Sequence, residues 1–538
     1  MGEQHGIEDW FLTAEERGNP AAGIDRGACA AGWSTGNRVE VLIDGAEYFA
    51  RLFQVLCSLT PGDWVHFTDW EGDPDERLGG PGTDVASVLE DLARRGVNVR
   101  GLLWRSHPTQ FKFSEQQNVT LTKRVNAAGG EILLDERVRR GGSHHQKLFV
   151  IRRAAAPEDD VAFVGGIDVC HGRHDDPRHR GDVQAVKIDE RYSDRPPWHD
   201  AQLQVQGPGV VALADSFRER WEDPHPLDHR NPVRRIVRTF TRQPRHPDPL
   251  PPRRGEPAVR GPHAVQVLRT YPAKHPPYPF APHGERSVAR AYLKALRRAR
   301  RLVYLEDQYF WSERAARALA TGLRTHPGLR VIVVVPRFPD RDGRVAGPAA
   351  RISRQRTTRI LEEAGSDRVL VCDLENDDGT PIYVHAKICV VDDVWFVVGS
   401  DNMNRRSWTH DSELSCAVLD GTSDDREPRD PAGLGDGART LARETRLRLW
   451  REHLGRGDVS GDEDLLDPST AFAAFRESAA ALDNWYARGR SGTRPRGHVR
   501  LHRPERVPPW HAWWAQVVAR VVNDPDGRPR RHHRTDKY

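Results

Sequence analysis

Short apolar runs alternate with amphipathic stretches along most of the chain. Residues 39–45 read as a strand, and 46–59 set Phe49, Leu52, Phe53 and Leu56 on one face of a helix. Residues 63–70 read as a strand, 84–96 as a helix ended by Gly96, and 97–105 as another strand. Such alternation implies an α/β fold with buried, largely parallel strands. The pattern breaks over 222–262, crowded with Pro, Arg and His, which reads as a linker. It restarts with a strand at 263–271, a helix at 285–300, a strand at 301–311, a helix at 314–326 and a strand at 330–336. After a second polar break at 420–437, helices are predicted over 439–455 and 470–489. From about 490 onward the chain is rich in Arg and Trp and is expected to be partly disordered.

Within this pattern one phrase is written twice. Both halves place a helix before a strand, then a His-x-Lys strand, then a Gly-Gly or Gly-Ser turn, over residues 144–175 and 384–408. A repeat of this length points to duplicated domains, not to a solenoid. A chain of 538 residues also exceeds what one hydrophobic core supports. The expected organisation is an extension (1–36), a first half (37–235), a linker (236–262), a second half (263–420), a helical extension (421–490) and a basic tail (491–538).

Charge and composition narrow the partners. The 81 basic and 77 acidic residues leave a net charge of +4, so no global basic field argues for nucleic acid. Basic clusters are local, at 139–147, 297–301 and 528–534. The last of these is expected to add affinity for an anionic surface, or to be an idle tail. Six cysteines stand without a CxxC pair and read as isolated thiols, not as a disulfide framework or zinc site. The N-terminal stretch lacks an apolar leader and no run of roughly 18 apolar residues occurs, so a cytoplasmic protein with at most peripheral membrane contact is expected.

On a strand, His and Lys at i and i+2 share one face. Two such pairs meeting across a pseudo-two-fold axis surround one ligand with two imidazoles and two ammonium groups. That set suits a phosphate: one neutral His attacks phosphorus, the other gives a proton to the leaving oxygen, and the lysines offset charge on the phosphoryl oxygens. Such a site needs no metal. A lone His-x-Lys is common and uninformative; two in matching contexts carry the weight. His144 is expected on the opposite face of its strand. The loop at 173–182, rich in His and Asp, reads as a solvated charged loop. The trio at 198–200 and the aromatic pair Tyr309 and Phe310 read as packing first, with a role in shaping the site as the alternative.

Taken jointly, the motifs resemble the signature of the phospholipase D superfamily. The second copy supplies His385, Lys387 and Asp392, then Gly399, Ser400 and Asn402, with Glu413 eleven residues further on. The first supplies His145 and Lys147, then Gly165, Gly166 and Asp168. Together with segments 196–210, 217–221, 303–310 and 447–455, it resembles the eukaryote-type branch, and the resemblance spans most of 37–456. It implies two tandem α/β domains, each a largely parallel or mixed sheet flanked by helices, packed about a pseudo-two-fold axis with one shared active site. It further implies His145 as the nucleophile that forms a phosphohistidine, and His385 as general acid and then base. Lys147, Lys387 and Asn402 would bind phosphate, Asp168 would occupy the first-half position of Asn402, and Glu413 would orient a histidine through its non-reacting nitrogen. Asp392 and the glycine and serine turns would be structural.

The chain departs from the signature at Arg152, where Asp is expected; Asp159 or Asp160 is the natural compensation. The activity implied is hydrolysis of a glycerophospholipid to phosphatidic acid and the free alcohol, or transfer to another alcohol, without cofactor, by a monomer acting at a membrane surface. Three rivals stand beside it: a phosphatidyltransferase of the cardiolipin synthase type, a nuclease, and a catalytically dead lipid-binding protein. The first usually has N-terminal membrane helices, which this sequence lacks. The near-neutral charge disfavours the second, and the two intact His-Lys pairs disfavour the third.

Overall fold

The computed structural model describes residues 2–25, 30–105, 115–227, 247–340, 346–457, 461–505, 507–529, 532–533 and 538. Residues 236–246 of the expected linker, Cys29 and part of the 528–534 basic cluster lie outside the described residues. The first half supplies β1 (Trp33–Ile43), β2 (Trp64–Asp69), β3 (Asn98–Trp104), β4 (Glu131–Asp135), β5 (Leu148–Arg152), β6 (Val161–Gly165), β7 (Trp198–His199) and β8 (Ala201–Gln206). The second supplies β9 (His263–Tyr271), β10 (Glu285–Arg286), β11 (Leu302–Asp307), β12 (Arg330–Val334), β13 (Val369–Leu374), β14 (Tyr383–Val384), β15 (Lys387–Val391), β16 (Trp395–Gly399) and β17 (Glu413–Asp420), and β18 (Val499–Leu501) follows from the tail.

The two halves repeat one topology. The order β1-β8-β6-β5-β2-β3-β4 is matched by β9-β17-β16-β15-β11-β12-β13. In each half, only the three outer strands, β2-β3-β4 and β11-β12-β13, are parallel. The inner strands are antiparallel, so of the expected largely parallel or mixed sheets the mixed form is the one observed. The reason lies in the connections: β5–β6 and β15–β16 are joined by short loops, and a short loop can only reverse the chain. β1 pairs antiparallel with β9 through Trp33↔Gln266 and Asn37↔His263, so a single sheet runs through both halves.

Alternation along the strands decides the layers. In β5, Leu148 and Val150 enter a core shared by both halves, whereas Phe149 and Ile151 enter the first half's own core. In β15, Ile388 and Val390 join the shared core, and Cys389 and Val391 the second half's. Trp450 and Phe475, from helices Thr440–His453 and Pro468–Ala487, close the shared layer.

Both ends of the chain are tied in. Trp10, Phe11 and Leu12 lie in the second half's core, and Arg17 pairs with Glu285 at 2.5 Å, both side chains fully buried. The tail, expected to be loose, adds β18 to the sheet edge opposite β13 (Cys372↔Leu501) and then forms a helix, Pro509–Val518. Val499 is fully buried, and Arg500 between the two apolar positions pairs with Asp483 and Glu375. Among the described residues no helix is long and apolar enough to cross a membrane.

Candidate active site

The two His-x-Lys segments lie at the seam, and backbone pairing across it fixes them. β14, which runs into His385, pairs in parallel with β7 of the first half (Tyr383↔Trp198, Val384↔His199). The His385 N–H donates to the His199 carbonyl at 2.8 Å. In the same way the His145 N–H donates to the Ser412 carbonyl of the second half at 3.0 Å.

Each imidazole is then oriented by a carboxylate from the opposite half. Nδ1 of His145 lies 2.8 Å from Oε2 of Glu413, and Nδ1 of His385 lies 2.6 Å from Oδ2 of Asp200. Glu413 opens β17, and Asp200 directly precedes β8, the matching strand. The N–H groups of Ser400 and Gly166 donate to the Leu414 and Ala201 carbonyls, so Glu413 and Asp200 occupy equivalent places. The turn residues serve these carboxylates. Ser400 Oγ donates to Glu413 Oε2 at 2.6 Å. Its counterpart Gly166 has no side chain because a Cβ there would stand 2.1 Å from Asp200 Oδ1. Both carboxylates are essentially inaccessible, whereas the His145 side chain stays 17% exposed and that of His385 7%. With Nδ1 engaged, Nε2 is the nitrogen left to react on each ring.

The lysines differ between the halves. Each lysine donates to the carbonyl of the histidine two residues before it, but Lys147 forms an ion pair with Asp168 at 3.2 Å, while Lys387 reaches the Gln308 side chain at 3.4 Å. Asp168 does hold the position of Asn402: Asp69 accepts from the Val169 N–H and Asp307 from the Met403 N–H, each one residue further on. Burial and Asp168 push Asp69 well above the carboxylate range, and against its own burial Asp168 is held low by Lys147 and by Asp69. In the second half, Asn402 is buried and its Oδ1 has no hydrogen-bond partner among the described residues.

Burial, Lys147 and Lys387 hold His145 well below its ordinary range, and burial with Lys387, Arg173 and Lys147 does the same to His385. Each imidazole therefore feels cations from both halves, and the ligand these cations await is an anion. Burial pushes Glu413 up to about 8, and burial brings Lys387 down to about 8. A consequence follows for pH. Glu413 accepts the Nδ1 proton fully only when ionised, above that value; Lys387 carries charge only below it. The expected kcat/KM profile on a soluble diester is a narrow bell near pH 8, with its acidic limb removed in Glu413→Gln. Initial rates between about pH 6 and about pH 10 check this; a flat profile in the wild type would contradict it.

Asp392 accepts N–H groups from Arg300, Arg301 and Leu302 at the entry to β11. Arg152 at the matching place turns instead to Asp160 at 2.5 Å, while Asp159 pairs with Arg260. His144 is fully buried against Gln146, away from the site. Phe310 is core, whereas Tyr309 stacks on Trp311 at 4.2 Å between ring centroids and lines a pocket with Arg354 and His502.

The loop at 173–182 is solvated only in part: Asp176, Pro177, Arg178 and Arg180 are exposed, whereas Asp175, His179 and Asp182 are buried, and the Asp175 and Asp182 carboxylates accept N–H groups of the loop and its flank. Arg173 lies 3.9 Å over the Trp198 ring, close enough to act on His385 electrostatically. The trio at 198–200, read as packing first with shaping of the site as the alternative, contains Asp200, whereas Arg173 enters the sequence reading only as part of a charged loop. The symmetry of the repeat was the available signal for Asp200: the first-half residue equivalent to Glu413 had to be an acid. His179, His199, Asp44 and Glu452 lie close enough together to hold a metal ion, as do His199, Glu306 and His453. In both groups the ring nitrogens already hydrogen-bond the carboxylates, with His199 between Asp44 at 3.0 Å and Glu306 at 2.9 Å.

A family model described as phospholipase D matches residues 88–232 and 359–502, more than half of the chain, with one His-x-Lys segment in each stretch. The chain belongs to the phospholipase D family. A further model, described as the phospholipase D-like domain of cardiolipin synthase, matches residues 292–424. Curated phospholipase D relatives share low identity with it. Phospholipase D A of Dictyostelium discoideum is 27% identical over 484 residues, covering 78% of this chain and 35% of that protein. Phospholipase D gamma 2 of Arabidopsis thaliana is 25% identical over 466 residues, covering 67% and 54%. The chain thus spans between a third and about half of the length of these relatives. Among solved structures, a phosphatidylserine synthase of Haemophilus influenzae Rd KW20 aligns with a TM-score of 0.49 at 15% identity, over 71% of this chain and 82% of that one.

Proposed function

We propose that this phospholipase D family member cleaves the headgroup-side P–O bond of a glycerophospholipid through a covalent intermediate on His145. The observation that carries the reading is the exchange of orienting carboxylates: Glu413 behind His145 and Asp200 behind His385, with Lys147 and Lys387 beside them. Nε2 of His145 attacks phosphorus, the P–O bond to the headgroup breaks, and His385 gives its proton to the leaving oxygen. His385 then takes a proton from water, whose oxygen attacks phosphorus and breaks the P–N bond. Lys147, Lys387 and Asn402 offset charge on the phosphoryl oxygens. An alcohol in place of water gives transphosphatidylation. The protein is proposed to act as a peripheral enzyme, and its match to relatives from slime mould and plants supports the eukaryote-type branch.

A second reading has its own support, because residues 292–424 match the cardiolipin synthase model. In that case the acceptor is the hydroxyl of another lipid or of glycerol, and the residues keep the same roles.

The test uses vesicles of mixed phospholipids with EDTA and ethanol. Wild type is expected to yield phosphatidic acid and phosphatidylethanol, and His145→Ala neither. Replacing ethanol with phosphatidylglycerol separates the two readings: a diphosphatidylglycerol product in preference to phosphatidic acid favours the synthase. Release of nothing from any phospholipid would overturn both.

A further inference from the structure

Nine large apolar side chains stand exposed among the described residues, and five of them fall within positions 510–522: Trp510, Trp513, Val517, Val521 and Val522. The rest, Val183, Val186, Val259 and Leu434, are spread over the first half and two loops. Trp510, Trp513, Val517 and Val521 recur at helical spacing, so they form one ridge along helix Pro509–Val518 and the wider turn that follows it. Trp513 is 78% exposed, whereas Ala515 and Ala519 on the opposite side are buried. That buried side packs on helix Ala346–Gly365, whose Ala350, Arg351 and Arg354 line the Tyr309–Trp311 pocket next to the site.

We propose that this C-terminal helix seats the catalytic mouth on a phospholipid bilayer containing anionic lipid, with Trp513, Val517 and Val521 entering the headgroup–acyl boundary. The inference rests on the lipid-substrate reading given above and adds the surface by which that substrate is met. Three observations carry it. First, the ridge ends in tryptophan, the side chain that favours the boundary between water and hydrocarbon, and a helix of ten residues is too short to do anything there but lie flat.

Second, the ridge is held at the mouth. Asp524 accepts the Arg406 N–H at 2.6 Å, and Gly527 bonds both Thr409 at 2.9 Å and Arg139 at 2.7 Å. Arg406 pairs with Asp411 at 2.7 Å, and Asp411 accepts the Ser143 N–H at 2.8 Å, two residues before His145. Third, the charge is complementary. The open cleft beside this turn is lined by Arg139, Arg140, Lys274, His275 and Arg528; Asp526 pairs with Arg528, and the cleft keeps a basic excess. Apolar insertion and a basic rim together are what peripheral attachment to an anionic bilayer requires.

The experiment is co-sedimentation of the full chain with vesicles of phosphatidylcholine and phosphatidylglycerol, alongside kcat/KM on bis(p-nitrophenyl) phosphate. The triple variant Trp513→Ser, Val517→Ser, Val521→Ser is expected to partition about tenfold or more weakly, with kcat/KM on the soluble diester unchanged. Trp513→Phe alone is expected to bind nearly as wild type, which guards against a folding artefact. Equal partitioning of the triple variant, or no vesicle binding by wild type, overturns the proposal. So does a wild-type dimer that the triple variant splits without loss of vesicle binding, because the ridge is then a contact between copies. If wild type binds vesicles through the ridge but turns over no phospholipid, the seat stands and the substrate reading falls.

Discussion

His145→Ala and His385→Ala are each expected to lower kcat on a phospholipid by about 10⁴-fold, and the double variant to lose little more. The losses do not add because the two imidazoles act on one phosphorus in one sequence of steps. The two single variants should nevertheless fail differently. Without His145 there is no nitrogen to form the P–N bond, and no substrate rescues that. Without His385 the P–N bond can still form, but the leaving oxygen receives no proton. A p-nitrophenyl ester needs none, so His385→Ala is expected to give one burst of p-nitrophenol and to trap a phosphohistidine. Rapid-mixing kinetics and mass measurement of the intact protein check this. A burst in His145→Ala instead would exchange the two roles; turnover near wild type in His385→Ala would refute the two-histidine mechanism.

Asp200→Ala is expected to lower kcat on phospholipid by about 10³-fold with KM little changed. Asp200 lies in the first half, yet its Oδ2 is 2.6 Å from Nδ1 of His385 in the second. Removing it frees the ring to turn and to take either tautomer, and withdraws the negative charge that stabilises the imidazolium. The loss in the first step, read as the burst rate, should therefore grow with the basicity of the leaving group, since it is a loss of proton transfer: large for a choline ester, small for a p-nitrophenyl ester. A merely structural role would lower both alike. Asp200→Asn should resemble Ala, because an amide N–H facing Nδ1 enforces the wrong tautomer. Equal losses on the two esters would remove Asp200 from the role assigned here.

The contrast between Glu413 and Asp200 shows what the sequence carries. Glu413 stands at a fixed distance from Asn402 along one chain segment and is legible there. Asp200 acts on a residue 185 positions away, and only the register of β8 against β6 and of β14 against β7 brings the two together. Local spacing cannot report such a contact; the duplication could have, by demanding an acid equivalent to Glu413. The strands around both His-Lys pairs were legible because buried apolar runs of that length have few alternatives. Their mostly antiparallel pairing was not, since a buried strand reads the same in either direction. The loop at 173–182 misled for a related reason: its acids look solvated until the loop's own N–H groups fold back on them. In the tail, Val499 and Leu501 are too short a signal to announce a strand.

The carboxylates that cross the seam also bear on how such a chain could arise and change. A single half pairing with its own copy would already complete both histidines, since each copy lends the acid the other needs. Joining the copies in one gene preserves that exchange and removes the need for identity. Asp168 facing Asn402, Arg152 facing Asp392 and Asp200 facing Glu413 are three places where the copies have parted. Among the described residues one lysine thus keeps a carboxylate partner while the other does not, a difference that a symmetric pair could not have acquired.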